Sequence, residues 1–285
     1  MRFLPAGLSL TLLVSVFMLP EHARAIAQEA DPIPTTIELP TSETPPAPNA
    51  QQLIQQGLAA QEAGRYREAV SVWRLLLSTQ PNNATAQNSL GNALVALGQI
   101  DNAESAYRSA VRIAPDEAMG YYNLGTLLAK RSRIEEAIAA YQEVIRIDPS
   151  DVDAYYNIGF WQAKQSRFEA AVEAYRSAAR LTPADAEIHY NLGVVLRRLS
   201  RNDEAEIAFQ QAISADPSYL DGYQYLSLIL VDRGRLEDAE QVLRQGIEQM
   251  PDSTELIYNL AVVLHRQGRT AESQALYNEA IVRGI

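Results

Sequence analysis

Residues 118–149 read AMGYYNLGTLLAKRSRIEEAIAAYQEVIRIDP. Apolar side chains recur at helical spacing in Tyr121, Leu124 and Leu128, and again after Ser132 in Ile134, Ala137, Tyr141 and Val144. The stretch therefore predicts two amphipathic helices joined by a tight turn. Pro149 ends the second helix, because proline lacks an N–H and disfavours helix in the residue before it. After residue 49 every proline falls in the row Pro81, Pro115, Pro149, Pro183, Pro217 and Pro251, each 34 residues from the next. Such a period marks one helical hairpin copied in tandem and stacked.

With proline numbered as position 32 of the unit, the remaining positions fall into register. Position 8 is Gly57, Gly91, Gly125, Gly159 and Gly193, then Ser227 and Ala261. Position 24 is Trp73, Tyr107, Tyr141, Tyr175, Phe209, Leu243 and Tyr277, so a large residue on the second helix is set to face a small one on the first. Position 20 is alanine in six units and Ser273 in the last, and position 7 is leucine or isoleucine from Leu90 to Leu260. The turn falls at position 15, held by Gly64, Gly98, Ser132, Ser166, Ser200, Gly234 and Gly268. Asn83, Asp151, Asp185 and Ser253, two residues after a proline, are placed to accept from the free N–H groups of the next helix.

A large residue, Leu, Gly, a small residue, a second aromatic and Pro recurring at 34 residues resemble the tetratricopeptide repeat over residues 50–285. The resemblance implies an all-α, right-handed solenoid of seven helix-turn-helix units, at 50–83, 84–117, 118–151, 152–185, 186–219, 220–253 and 254–285. It also implies that the first helices line a concave face and the second helices a convex one. A single hairpin cannot bury its own apolar face, so stability comes from stacking, and end units need a cover. The last unit, with Leu276, Ala280 and Ile281 on its second helix, is expected to leave apolar surface open, which either frays or meets a second copy or a partner.

The segments before the repeats are of another kind. An apolar stretch from Leu4 to Leu19, followed by Ala23-Arg24-Ala25 and Ala25-Ile26-Ala27, reads as a secretory signal over residues 1–27. The alternative is an uncleaved anchor, although the 16-residue apolar run is shorter than the roughly 20 that span a bilayer. Residues 28–49 hold six prolines among Thr, Glu and Ser and read as a disordered, partly extended linker. The expected location is an exported, periplasmic or equivalent compartment.

The chain of 285 residues has no cysteine and a formal net charge of -11. Disulfides, thiolate metal sites and lipid attachment to cysteine are therefore out, and nucleic acid is a poor partner for so acidic a protein. After the signal only His189 and His265 remain, 76 residues apart, and His189 sits at position 4, where Tyr121, Tyr155 and Tyr223 stand in other units. Packing is its expected role. No HExxH, GxxxxGK or GxSxG motif occurs, and Glu136, Glu169, Glu204 and Asp238 recur with the repeat as acids near helix N-termini. The reading is of a non-enzyme with no cofactor and no metal.

The candidate site is the face of the first helices. Position 6 carries Asn123, Asn157, Asn191 and Asn259, interrupted by Tyr225. An amide both donates and accepts, so such a row suits a peptide backbone. It is similar to the asparagine ladder in the repeat domain of O-linked N-acetylglucosamine transferase. The competing reading has these amides bonding across neighbouring helices. Position 5 carries Tyr122, Tyr156, Tyr190 and Tyr258, either a stacking surface or half-buried structural tyrosines. Position 9 changes from Asn92 and Thr126 to Phe160, Val194, Leu228 and Val262, making the C-terminal half the apolar one. Position 13 is basic in Lys130, Lys164, Arg198 and Arg266, with Asp232 breaking the row, and position 2 is acidic in Asp153, Glu187, Asp221 and Glu255. These rows either give the groove edges of opposite sign or simply complement the helix dipoles. The expected partners are a protein or peptide, within an envelope or membrane complex. The competing expectations are a homo-oligomer built through the last unit and, more weakly, a carrier for a small ligand or sugar.

Overall fold

A computed structural model describes residues 49–284. The expected signal and all of the expected linker except Asn49 lie outside the described residues. What is described is helical throughout: α1 (Ala50–Glu62) and α2 (Tyr66–Thr79), α3 (Ala84–Ala96) and α4 (Ile100–Ile113), α5 (Ala118–Lys130) and α6 (Ile134–Ile147), α7 (Val152–Lys164) and α8 (Phe168–Leu181), α9 (Ala186–Arg198) and α10 (Asn202–Ala215), α11 (Leu220–Asp232) and α12 (Leu236–Gln249), α13 (Thr254–Arg266) and α14 (Thr270–Arg283). Each helix packs on the next in the chain, so seven hairpins stack into an α-solenoid, and α3 also touches α5, α7 touches α9, and α11 touches α13.

Local chemistry sets the helix ends. The side chains of Asn83, Asp151, Asp185 and Ser253 accept from backbone N–H groups of α3, α7, α9 and α13, and Asn49 forms a reciprocal capping box with Gln52. Within each hairpin the turn residue takes a left-handed backbone, with φ of 69° at Gly64 and 59° at Ser132. The residue after it bonds back to close the first helix, as Arg133 N does to Leu128 O at 2.9 Å. Glycine adopts this conformation freely, whereas Ser132, Ser166 and Ser200 adopt it against a steric penalty.

The pairing of large against small decides how closely the two helices of a hairpin approach. A Cβ on Gly91 would lie 2.4 Å from the Tyr107 ring, and one on Gly193 2.6 Å from that of Phe209. Trp73, Tyr141, Tyr175 and Phe209 are among the largest fully buried side chains as a result. Tyr107 is buried in the same way, and burial pushes its phenol up to about 12.

Two features were not anticipated from the repeat. Three arginines at position 16 bind both an acid of the following helix and one of the preceding repeat: Arg133 with Glu136 and with the buried Glu104 at 2.6 Å, Arg235 with Asp238 and Glu206, and Arg269 with Glu272 and Glu240. Glu136 and Glu204 thereby serve as arginine partners as well as helix-start acids. Secondly, the buried apolar residues form two clusters that meet at the fourth hairpin. Position 11 is Ala60 in the first repeat and Leu94, Leu128, Leu196, Leu230 and Leu264 in five others, but Gln162 here, 9% exposed with Oε1 lacking a partner.

Candidate functional site

Residues at positions 5, 6, 9 and 13 of α7, α9, α11 and α13 share one face, where they line hollows between successive first helices. On this face the asparagines are partly engaged with their neighbours. Asn123 Nδ2 donates to Asn88 Oδ1 at 2.9 Å. Asn157 Nδ2 donates to the Asp153 carbonyl at 2.8 Å and reaches Tyr122 Oη at 3.4 Å, and Asn191 Nδ2 reaches Tyr156 Oη at 3.4 Å. The amide of one repeat is thus tied to the tyrosine of the repeat before it. Asn259 instead lines two pockets at the C-terminal end of the face.

The position 5 tyrosines pack edge-on against the position 24 aromatics of their own hairpins, Tyr122 on Tyr141, Tyr156 on Tyr175 and Tyr258 on Tyr277, with centroids 5.5 to 5.8 Å apart. These ring contacts are structural, and the hydroxyls of Tyr122 and Tyr156 meet the amides of the next repeat. Tyr156 Oη donates to Glu187 of the next repeat, and burial together with that carboxylate pushes its phenol well above the ordinary range. Tyr190 joins Tyr219, Tyr225 and Phe209 in an aromatic cluster. Tyr225 therefore interrupts the asparagine row by filling the groove floor, with the Arg197 guanidinium 5.4 Å from its ring centre.

Two hollows open on either side of this cluster. One of about 440 Å³ is lined by Phe160, Lys164, Tyr175, Asn191, Val194 and Arg198, so five candidate residues from the sequence meet in one place. Lys164 Nζ lies 5.2 Å from the centre of the Phe160 ring. The other, about 280 Å³, is lined by Tyr225, Leu228, Val262, Asn259 and Arg266. Lys130 belongs to neither of these two. Among the described residues no ion pair involves Lys130, Lys164, Arg197, Arg198 or Arg266. Sequence reasoning missed Arg197, whose signal was an arginine at a position held by Val95, Ala129, Ala163 and Val231 in the inner repeats and by Gln61 and His265 in the end ones.

The family model described as the Cilia and flagella-associated protein 70 C-terminal domain, a tetratricopeptide-repeat model, matches residues 117–283, and the Tetratricopeptide repeat model matches residues 54–118. The chain belongs to the tetratricopeptide repeat family. Among solved structures, the C-terminal part of a TPR repeat-containing protein from Cytophaga hutchinsonii aligns at 17% identity with a TM-score of 0.69, covering 81% of this chain and 95% of that one. MamA aligns at 22% identity and TM-score 0.55, covering 59% and 92%. YrrB, a TPR protein with an unusual peptide-binding site, aligns at 23% and 0.53, covering 64% and 93%. At these identities the likeness is one of fold. No curated protein matches the sequence significantly.

Within these tetratricopeptide repeats the charges are sorted along α7, α9 and α13, while α11 has an acid at both ends, Asp221 and Asp232. Asp153, Glu187, Asp221 and Glu255 stand at the N-terminal ends, and the unpaired bases stand at the C-terminal ends. The face therefore has an acidic edge, an apolar and aromatic floor in its C-terminal half, and a basic edge. Among the described residues no cluster of three or more His, Cys, Asp or Glu is arranged to hold a metal ion. His189 is buried with Nε2 at 2.8 Å from the Pro183 carbonyl, the place that the Tyr223 hydroxyl takes against Pro217 one repeat later.

Proposed function

We propose that this protein is an exported, non-catalytic scaffold whose first-helix groove holds extended segments of partner proteins, in the service of assembling an envelope or membrane complex. The observation that carries the reading is the pair of hollows flanking Tyr225, each with an apolar floor and a cation free of any acidic partner. Cations left unpaired in a protein of net charge -11 favour a segment that brings its own carboxylates to the basic edge and apolar side chains to the floor. Successive first helices at about 8 to 10 Å and an extended chain advancing about 3.3 Å per residue allot about three ligand residues to each repeat. The peptide-binding site of YrrB supports the same class of ligand. Export rests on the sequence of residues 1–27.

The test is photo-crosslinking from position 156 in the native host, followed by mass spectrometry, repeated with Phe160→Ala and with Asn157→Ala plus Asn191→Ala. Recovery of one protein segment, lost in the variants, is expected. Crosslinks only to bulk protein, indifferent to all three substitutions, would refute the groove reading. Sequencing the N-terminus of the mature protein tests export.

A second reading is self-assembly through the last hairpin. Ala280 is fully buried and Leu276 half-buried, but Ile281 and Val282 stand open to solvent. Light scattering decides it: a mass that stays monomeric as concentration rises removes this reading.

A further inference from the structure

The groove uses one side of α9, through Asn191, Val194 and Arg198. The other side of the same helix, through His189, Leu192 and Leu196, forms the floor of a separate hollow of about 380 Å³, walled by α8 and α10. This hollow opens between successive second helices, away from the groove.

Its origin is visible in the repeat register. Position 28 is Leu77, Val111, Ile145, Ile213, Ile247 and Ile281, but Ala179 in the fourth repeat. A residue at position 28 packs against position 3 of the next repeat, since a Cβ on Gly120 would lie 3.1 Å from Val111 and one on Gly222 2.9 Å from Ile213. Position 3 beyond Ala179 is Ile188, where other repeats have Ala86, Gly120, Ala154, Gly222 and Leu256, so a large position 3 stands beyond an alanine only here. The bulk at this junction comes from α9 instead of α8, which keeps the core filled and leaves the outer side hollow. At the lip, position 22 is Ser71, Ser105, Ala139, Glu173, Gln241 and Ala275 elsewhere but Ile207 here, 54% exposed. Histidine replaces tyrosine at position 4 of the same junction. Its ring is 6% exposed, and Nδ1 has no partner.

Three departures from the repeat thus converge on one apolar hollow. Arg176 at its rim is taken up by Glu173 and Glu204, while Arg180 bonds only the Ser177 hydroxyl, at 2.8 Å. The rim therefore offers one uncommitted cation beside an apolar cup. We propose that this hollow is a second docking site, on the outer face, for a bulky aromatic side chain of a partner protein whose following residue carries a carboxylate. The volume lies in the range of formed ligand pockets, an exposed Ile207 is the apolar edge that such a contact covers, and Arg180 supplies the charge-assisted bond to the acid.

The test titrates N-acetyl-tryptophanyl-glutamate into the full chain while the histidine ring protons are followed by NMR, the His189 signals being assigned from His189→Tyr. A saturable shift at His189 and none at His265 is expected. Ala179→Ile combined with Ile188→Ala rebuilds the Ile145 and Ala154 pair of the preceding junction and should abolish the shift with helix content unchanged. Ile207→Gln, the residue of the next repeat, and Arg180→Gln lie on the surface and should each weaken binding by about fivefold or more. Absence of a saturable shift, or affinity unchanged in Ile207→Gln, overturns the proposal. The groove is on the other side of α9, so that failure leaves the groove reading where it stands.

Discussion

Asn191 reaches back through Nδ2 to the hydroxyl of Tyr156, 3.4 Å away and one repeat earlier, and that hydroxyl in turn donates to Glu187. The groove surface is therefore stitched between repeats by the same groups that face a ligand. A bond at the long end of the range, exposed on one side, contributes about 0.5–1 kcal/mol. Asn157→Ala plus Asn191→Ala should lower unfolding stability by no more than about 2 kcal/mol in urea titration, while capture of the groove's partner falls by about tenfold or more. A loss of stability with capture intact would assign the row to packing alone.

The close approach of the two helices gives a graded prediction. Alanine in place of a helical glycine gains about 1 kcal/mol from propensity, against whatever the new methyl displaces. At Gly125 the Cβ would meet Tyr141 at 3.1 Å, and at Gly91 it would meet Tyr107 at 2.4 Å. Gly125→Ala should be near neutral, whereas Gly91→Ala should destabilise by about 1–3 kcal/mol. Urea midpoints for the two variants, measured together, check the order.

The three left-handed serines make the opposite case. Ser132, Ser166 and Ser200 have φ of 59° to 60°, and a Cβ placed on any of the glycines at the same turn would meet nothing within 4 Å, so the penalty is purely of backbone. Each Ser→Gly substitution should stabilise by about 0.5–1 kcal/mol, and Gly98→Ser should lose a similar amount. Thermal melts of the triple Ser→Gly variant should move up; a fall would mean that the serine hydroxyls do more than occupy the turn.

These positions also mark how far the sequence was legible. The proline row, the turn residues, the caps and the Gly-to-aromatic facing all follow from one 34-residue period, because each is settled within a hairpin or across one junction. The arginines at position 16 escaped, since their acids lie about 30 residues away and adjacency depends on the register of stacked hairpins. For the groove, the rows of Asn, Tyr and Lys or Arg were readable as rows. Whether an amide faces a ligand or a neighbouring tyrosine was not, because a rotation of a side chain by one rotamer decides it. Tyr225 was legible only as an interruption, and its cluster with Tyr190 and Arg197 needed coordinates.

The arginine network sets the pH response. Burial pulls the Glu240 carboxyl up, but hydrogen bonds from Arg244, Arg269 and Gln267 together hold it below its ordinary value of 4.5, and Arg269 does the same for Glu272. A carboxyl whose folded pKa is depressed contributes stability that is present above the unfolded value and lost as pH falls through the folded one. Melting temperature should be flat from about pH 8 to about pH 5 and drop below about pH 4.5. Glu240→Gln should lower it at neutral pH and shrink the acid drop; an unchanged drop would place the acid sensitivity elsewhere.

Gln162 carries the last prediction. It stands where five other repeats have leucine, its Oε1 is shielded without a partner, and the buried apolar residues divide into two clusters around it. In a stack whose stability is a sum of hairpins and junctions, one weak junction lets the two halves open separately. Gln162→Leu has nearly the same volume, removes an unsatisfied acceptor and adds apolar burial, which together should stabilise by about 1–2 kcal/mol. It should also steepen the urea transition, because the two clusters then unfold as one unit. Hydrogen exchange locates the effect: protection should rise first in α7 and α8, between the clusters, and last in α1 and α14. A midpoint and slope both unchanged would show that the junction is already as strong as its neighbours, and that the polar residue is accommodated at no loss.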